Sequence, residues 1–431
     1  MKSTPAIGLT EGRAEVASSK NLLWIVIIAF TLRAAVRFHS GEADFWTNGY
    51  TFFFDMAQNI ASGKGIAFEG EPATAFRVPF YPIFLAAVTF GHREFLPVIL
   101  FQSLIGAGTV WCAALIARNM FGNAAAMIAA VLTAIYPYYV VHDTALQETS
   151  LYTFLTALAV LLLMRVRRDG SASMAVCAGF SLGAAVLTRA NLAPFAVLAP
   201  LWLVVAPVPK VILWRRGFWM CLLCAGSMAL TVTPWLVRSY GLTGSPTLST
   251  QSGFFLWLGN NPYTFSHYPN ESIDRSQEEG LDALSPKDRA VIQTLRPNEA
   301  AVDRWFLRTG LNYMREHPWQ TIAGAFRKVS AAFCLLPSPR RTFWANLVYL
   351  LSYGPLMALG LWGMWTGRRK WREHLIFYIL FVTFAAVTTI FFGHTNYRAY
   401  LDVYLIVFAA GAIEQLRCKA LSKSEAIFAH Y

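Results

Sequence analysis

Stretches of about 20 apolar residues recur along this chain, separated by short basic clusters. A bilayer core asks for roughly 20 apolar residues per helical crossing. Ten segments meet that length or nearly so, at approximately 21–38, 95–117, 123–141, 146–164, 172–188, 191–208, 217–236, 343–365, 373–392 and 397–416. Charged residues make up 14% of the 431 residues and hydrophobic residues 56%, where a soluble domain carries about 25% charge. That excludes a soluble enzyme, a disordered chain and a secreted disulfide scaffold. The expected fold class is an all-α polytopic membrane protein of about ten spans.

The net charge of +12 does not point to nucleic acid. Lys and Arg collect in loops that stay cytoplasmic, and they collect here at Arg118, at Arg165, Arg167 and Arg168, at Lys210, Arg215 and Arg216, at Arg368 to Arg372, and at Arg417, Lys419 and Lys423. Ten spans put all of these inside, with both termini cytoplasmic. The first span follows Lys2, Arg13 and Lys20, has no small-residue cleavage site, and is read as uncleaved. Two more apolar runs are read as interfacial or re-entrant helices. The run 78–90 is short and holds Pro79 and Pro82, and 319–336 carries Arg327 and Lys328 in its middle. Crossing at 78–90 would turn the next basic clusters outward. Cys221 and Cys224 form a CxxC inside an apolar span with no second ligand pair, which suits packing.

This topology divides the chain into an N-terminal transmembrane module, 1–236, with a large first outer loop at 39–94. An outer loop region with an interfacial helix follows at 237–342, then a C-terminal transmembrane module and tail at 343–431. No solenoid repeat or inverted repeat is evident, and no Walker A, HExxH or GxSxG motif occurs. The chemistry-bearing residues fall at the outer edge. The first loop has Glu42, Asp44 and an aromatic helix-like stretch, Tyr50 to Ile60, with Asp55 on it, expected to lie along the interface. Arg77, His142, Asp143, Glu148, Arg189, Asn191, Arg238, His394, Tyr397 and Arg398 complete the set. Arginine at a helix end usually snorkels to lipid phosphates, and a loop acid is usually just solvated. Here Arg77, Arg189, Arg238 and Arg398 all oppose the positive-inside trend and have acids beside them. Such charges are retained at a membrane mostly for ligands or catalysis, and several guanidinium forks suit a phosphate.

Three ordered passages carry a resemblance. They are Ala57-Gln-Asn-Ile-Ala-Ser-Gly-Lys-Gly65 with Thr74-Ala-Phe-Arg77-Val-Pro-Phe-Tyr-Pro, Thr233-Pro-Trp-Leu-Val-Arg238 with Leu256-Trp-Leu-Gly-Asn-Asn-Pro262, and Tyr397-Arg398. Glu148-Thr-Ser-Leu-Tyr and Leu187-Thr-Arg189 match more weakly. Together they resemble the GT-C glycosyltransferases, in particular the bacterial family 39 type related to protein O-mannosyltransferases and lipid A aminoarabinose transferases. The resemblance implies a polyprenyl-phosphate-linked sugar donor, an outward active site in a bacterial inner membrane, and inversion at the anomeric carbon. By position it has Arg77, Arg189 and Arg398 hold the carrier phosphate, and makes Glu148 the acid of the second outer loop. Arg238, His394 and Tyr397 join Glu148 as substrate-binding candidates. The family's first-loop acid falls on Gly49 by spacing, so Asp44, Asp55 and Glu42 are the candidate bases, in that order. Should none serve, a carrier-binding protein without activity is left.

Lipid A, cell-envelope polysaccharide and protein hydroxyls are the acceptors to consider. No segment has metal-ligand spacing and no cofactor is indicated; a divalent cation, as in the oligosaccharyltransferases of the same superfamily, is compatible with the resemblance only. The rival reading is a transporter or flippase of a lipid-linked or anionic substrate, which calls for charges at the bilayer midplane and paired broken helices. An oligosaccharide polymerase or ligase using a diphosphate carrier is a nearer relative of the favoured reading.

Overall fold

The computed structural model describes the backbone of residues 7–205 and 214–428, and the side chains of 19–205 and 214–422. Lys2, Lys210, the last residues of the expected 191–208 span, and the side chains of Arg13 and Lys423 lie outside the described residues. In hydrocarbon every backbone polar group needs an internal partner, which leaves an apolar chain the helix as its local solution. The apolar segments are accordingly helical.

The first, α1 (Ile7–Asn48), does not end where its apolar stretch ends. It kinks at Gly41, whose φ of 86° and ψ of 164° suit glycine, and resumes as a short helix carrying Glu42 and Asp44. Two short helices follow, α2 (Phe52–Ala61) and α3 (Phe80–Thr89). Then come α4 (Phe95–Phe121), α5 (Asn123–Ile135) and α6 (Pro137–His142). Next are α7 (Thr149–Asp169), which ends on Gly170 in the left-handed conformation, and α8 (Ala172–Thr188), capped by Ser171. Pro194 and Pro200 cannot donate to a helical ladder. They break the sixth apolar segment into α9 (Ala193–Leu198) and α10 (Trp202–Val205), with one 3-10 turn before α9 and another between the two. The next span, α11 (Trp214–Thr243), runs on past 236, so Arg238 sits within its last turns.

The long segment after it folds into α12 (Ser252–Leu258), α13 (Ile273–Asp282), α14 (Pro286–Leu295), α15 (Glu299–Glu316) and α16 (Pro318–Ala332). Ser272, Ser285 and Asn298 cap α13, α14 and α15 through their side chains. Trp257, Leu258 and Phe306 form a small core of their own beneath these helices. The chain closes with α17 (Phe343–Thr366), α18 (Trp371–Ile390) and α19 (Ala399–Phe428).

Among the described residues six helical runs are long and apolar enough to cross a membrane: Ser19–Asn48, Phe95–Phe121, Thr149–Asp169, Trp214–Thr243, Phe343–Ile390 and Thr395–Ser422. The expected spans 343–365 and 373–392 both fall inside the fifth, as α17 and α18. The expected spans at 123–141, 172–188 and 191–208 coincide with shorter apolar helices. Both runs read as interfacial are helical too, and α16 presents Trp319, Ile322 and Phe326 to the outside while burying Lys328. The aromatic stretch at 50–60 differs from its expected surface role. Phe53 and Phe54 are buried, on Tyr81 and Trp46, because the second arm of α1 and α3 close over α2.

The first turns of α19 lie at the centre of the bundle, with Leu401 to Ala410 almost wholly enclosed. Gly360 and Gly363 bring α17 into backbone contact with it, since a Cβ at Gly363 would stand 2.3 Å from the Phe408 carbonyl oxygen. By contrast α11 turns Leu222, Leu223, Leu230 and Val237 outward, as a helix against lipid does.

At one end of the bundle, Arg216 donates to the Gly170 carbonyl, Trp202 to that of Arg372, and Arg167 lies over Trp202. These contacts gather the basic clusters. The opposite end is about 30 Å away along α7. There, Arg33 of α1 is fully buried against Asp143 (2.8 Å) and donates to the Ala29, Thr133 and Ala134 carbonyls. Gly106 on α4 makes room for this pair, because a Cβ there would lie 2.6 Å from Arg33 Nε and 2.7 Å from Asp143 Oδ2. Gly106→Ala is therefore expected to cost about 2–3 kcal/mol, seen as a lower thermal midpoint in detergent; an unchanged midpoint would show that the pair can yield.

Candidate active site

The segment bearing Arg77 has no regular structure of its own and is held from outside. Arg238 donates to the carbonyls of Ile66 (3.0 Å) and Thr74 (2.9 Å). Glu299 at the start of α15 accepts from the Ala75 amide and from Thr250 Oγ1, and Ser249 Oγ donates to the Phe76 carbonyl. Arg238, expected to touch substrate, thus spends its guanidinium on first-loop backbone. Arg77 emerges half-buried among Phe52, Phe76 and Phe255, its guanidinium carbon 5.3–5.9 Å from their ring centres. Its Nε has no hydrogen-bond partner.

Glu148 stands at the N-terminal cap of α7 and Arg189 at the C-terminal cap of α8, and they meet at 2.7 Å with side chains only 10% and 12% exposed. Burial opposes the Glu148 charge, but Arg189, through charge and hydrogen bond, and Arg77 nearby hold its carboxyl below the usual carboxylate range. Arg189 is likewise held charged against burial by Glu148. Only one carboxylate oxygen is used; Oε2 is buried without a partner. The Arg189 guanidinium also lies 5.5 Å from the Tyr152 ring and 5.7 Å from that of Tyr397.

The loop at 141–147 joins this pair to the first-loop acids. Asp44 is gripped by Arg37 (2.7 Å) and by the Asn48 amide (2.7 Å), and Arg37 reaches on to Thr144 Oγ1 and the Val141 carbonyl. The Tyr50 amide donates to the Leu146 carbonyl, and its hydroxyl is in the electrostatic reach of Glu148, Arg189 and Tyr397. Glu42 instead accepts from the Trp46 indole (3.0 Å). Asp55 lies on α2 near Glu69 and Arg93; burial and Glu69 push its carboxyl up, with Arg93 opposing.

His142 and His394 stay neutral near pH 7. Burial drives His142 down to about 4, with Arg341, Arg37 and His394 adding to it. Burial drives His394 to about 4 as well, Asp274 opposing while Arg189 and Arg341 add to it. Tyr138 stacks on His142 and hydrogen-bonds Asn396, beside Tyr397.

Arg398 is placed apart from Arg77 and Arg189. It is fully enclosed, with Nη2 on the Tyr349 hydroxyl (2.5 Å), Nε 3.4 Å from Asp402, and its guanidinium carbon 3.4 Å from the Tyr353 ring centre. It backs the turn that presents Tyr397 rather than lining the recess. Asp274, which no motif marks, is the addition: exposed at the start of α13, it acts electrostatically on Tyr50, Tyr397 and His394. Among the described residues no three His, Cys, Asp or Glu side chains gather closely enough to hold a metal ion.

The Leu256-Trp-Leu-Gly-Asn-Asn-Pro262 passage is a lock. A Cβ at Gly259 would lie 1.6 Å from the Phe391 carbonyl oxygen. Asn260 donates to the Leu256 and Ile390 carbonyls, and the fully buried Lys328 donates to Gly259 O, Asn260 Oδ1 and Ile390 O. The lock fixes α12 and α16 to the end of α18.

The helical bundle has a GT-C-like fold. It is similar to the Archaeoglobus fulgidus oligosaccharyltransferase tethered to an acceptor peptide, with TM-score 0.54 and 14% identity over 92% of this chain and 50% of that one. The enzyme of the same archaeon, AglB, in complex with an inhibitory peptide and a dolichol-phosphate matches with TM-score 0.51 and 13% identity, over 95% and 52%. The chain thus spans about half the length of these structures. Residues 77–236, from Arg77 to just before Arg238, match the family model described as dolichyl-phosphate-mannose-protein mannosyltransferase. No curated protein matches the chain in sequence.

Proposed function

We propose that the protein is an integral-membrane glycosyltransferase that moves a sugar from a polyprenyl-phosphate-linked donor to an acceptor outside the cytoplasmic membrane, with inversion. The observation that carries the reading is the largely buried Glu148–Arg189 pair, with Arg77 in electrostatic reach, at the bundle end remote from the basic clusters. By the positive-inside rule the clustered end is cytoplasmic, so the recess opens outward. The dolichol-phosphate and acceptor-peptide complexes of the archaeal neighbours support a lipid-linked donor and allow a protein acceptor. Lipid A and envelope polysaccharide fit the same outward site.

Transfer breaks the bond from the anomeric carbon to the phosphate oxygen. Positive charge builds on the sugar and negative charge on the departing polyprenyl phosphate. Arg77 and Arg189 are fixed cations aimed at that phosphate in a sheltered site, where such stabilisation is strongest. The acceptor hydroxyl attacks from the opposite side and gives up its proton to a carboxylate, here Asp44, oriented by Arg37 and Asn48. Arg398 holds Tyr397 against Arg189 from behind.

The test is reaction of the purified protein in liposomes with polyprenyl-phosphate-linked hexoses, with water as surrogate acceptor. Free polyprenyl phosphate and a sugar of inverted anomeric configuration are expected. Movement of the intact lipid between leaflets without bond cleavage would replace this reading by the flippase. The buried Arg398–Asp402 pair, which a transporter could use, sits in the first turn of α19 and not at mid-helix.

A further inference from the structure

Buried polar atoms without a partner include Arg77 Nε, Glu148 Oε2 and Gln251 Oε1, and also Thr149 Oγ1 next to Glu148 and the Tyr81 hydroxyl in the electrostatic reach of Glu148. The first two belong to the pair and clamp already described. Gln251 does not, and nothing in its sequence context marks it. The turn at 249–251 runs beside the Arg77 segment, with the Thr250 amide on the Ala75 carbonyl (3.1 Å) and Ser249 Oγ on that of Phe76 (2.6 Å). Phe255, one helical turn beyond Gln251, carries the Arg77 guanidinium 5.6 Å from its ring centre. Gln251 is only 5% exposed. It occupies the cap position of α12 but makes no side-chain capping bond, and glutamine is not a favoured capping residue. Helix initiation therefore does not account for it. A buried amide oxygen left without a donor is costly, and native structures seldom keep one unless another group completes it.

Arg77 Nε, Glu148 Oε2 and Gln251 Oε1 constrain a bound partner by complementarity. Arg77 Nε needs an acceptor, while Glu148 Oε2 and Gln251 Oε1 need donors. A phosphodiester alone has no donor to give. An ammonium group would enter beside two guanidiniums balanced by one carboxylate. A neutral sugar joined to phosphate supplies both an anionic oxygen and neighbouring hydroxyls.

We propose that Gln251 is a sugar-recognition residue, accepting a hydrogen bond from one hydroxyl of the donor sugar while the free oxygen of Glu148 accepts from another. This rests on the carrier-lipid reading above. It adds that the recess reads the sugar as well as the phosphate, and that it takes a neutral hydroxylated sugar.

The experiment measures binding of undecaprenyl phosphate, its mannosyl, glucosyl and galactosyl monophosphate esters, and phosphatidylglycerol to the full-length protein in nanodiscs. Wild type is expected to bind at least one hexosyl lipid about tenfold more tightly than the bare phosphate, the worth of one or two good hydrogen bonds. Gln251→Met should lose that tenfold while keeping its affinity for undecaprenyl phosphate and its thermal midpoint. Gln251→Glu, which keeps an acceptor oxygen, should retain most of the preference. A Gln251→Met protein that keeps the full preference, or whose midpoint falls steeply, overturns the inference, as does a wild type that favours no hexosyl lipid. Phosphatidylglycerol binding as tightly as the best hexosyl lipid overturns it too, since any phosphate with hydroxyls would then serve. If wild type fails to bind undecaprenyl phosphate at all, the carrier-lipid reading falls and takes this inference with it; bare-phosphate binding without a Gln251 effect defeats the inference alone.

Discussion

Arg189→Met is expected to lower stability by about 3 kcal/mol, the scale for leaving one member of a buried ion pair uncompensated, and to abolish binding of the carrier phosphate. The sign of its pH dependence is a sharper check. In wild type the Glu148 carboxyl is held below its unfolded value, so its contribution is present above the unfolded pKa and is lost as pH falls through the lower folded one. Without Arg189 and its hydrogen bond, burial dominates and the carboxyl moves upward. The variant's penalty is then absent below the unfolded value and grows as pH rises through the raised one. The gap between wild type and variant should therefore narrow from pH 7 toward pH 5, in thermal melts of the two proteins side by side. Glu148→Gln combined with Arg189→Met should recover most of the stability and none of the binding. A double variant that binds would show that Arg189 matters only as a counter-ion.

Asp44→Asn is expected to lower kcat by about 10²–10⁴-fold, the usual share of a general base, while polyprenyl-phosphate affinity stays within a few-fold. Asp44 is the first-loop acid tied into the 141–147 loop through Arg37, and so to the Glu148–Arg189 recess. Asp55, on α2, looks toward Glu69 and Arg93 instead. Asp55→Asn should accordingly leave turnover within a few-fold. Single-turnover cleavage of a hexosyl lipid by the two variants separates them, and a larger loss in Asp55→Asn would reverse the assignment.

Span positions were legible because apolar length and basic punctuation act over tens of residues. The helices at 123–141 and 191–208 were equally visible, although Pro194 and Pro200 cut the latter in a way that apolar length does not record. The continuation of α1 across Gly41 was hidden, because His39-Ser40-Gly41-Glu42 is a polar run with a glycine, which reads as the start of an outer loop.

Arg77, Glu148, Arg189 and Tyr397 were singled out from charge expected at the outer edge and from resemblance, and the fold brings these four together. Arg238 and Arg398 carried the same signal for other reasons. One braces the first loop through carbonyls more than 160 residues away, and the other fills a tyrosine-lined niche with Asp402, one helical turn further on. Asp274 and Gln251 were silent because the groups that give them interest, Tyr50, His394 and Tyr397 for Asp274 and the Arg77 segment for Gln251, lie more than a hundred residues away in sequence. An acid or an amide in a polar loop looks like any other until the helices close around it.

The central claim is that the recess around Glu148 and Arg189 holds a carrier phosphate. Binding of polyprenyl phosphate to purified wild-type protein, with Arg189→Met as its partner measurement, tests that most directly and needs no knowledge of sugar or acceptor. Saturable binding in wild type that disappears in the variant is the expected result. No binding in wild type, or binding that ignores Arg189, would contradict it.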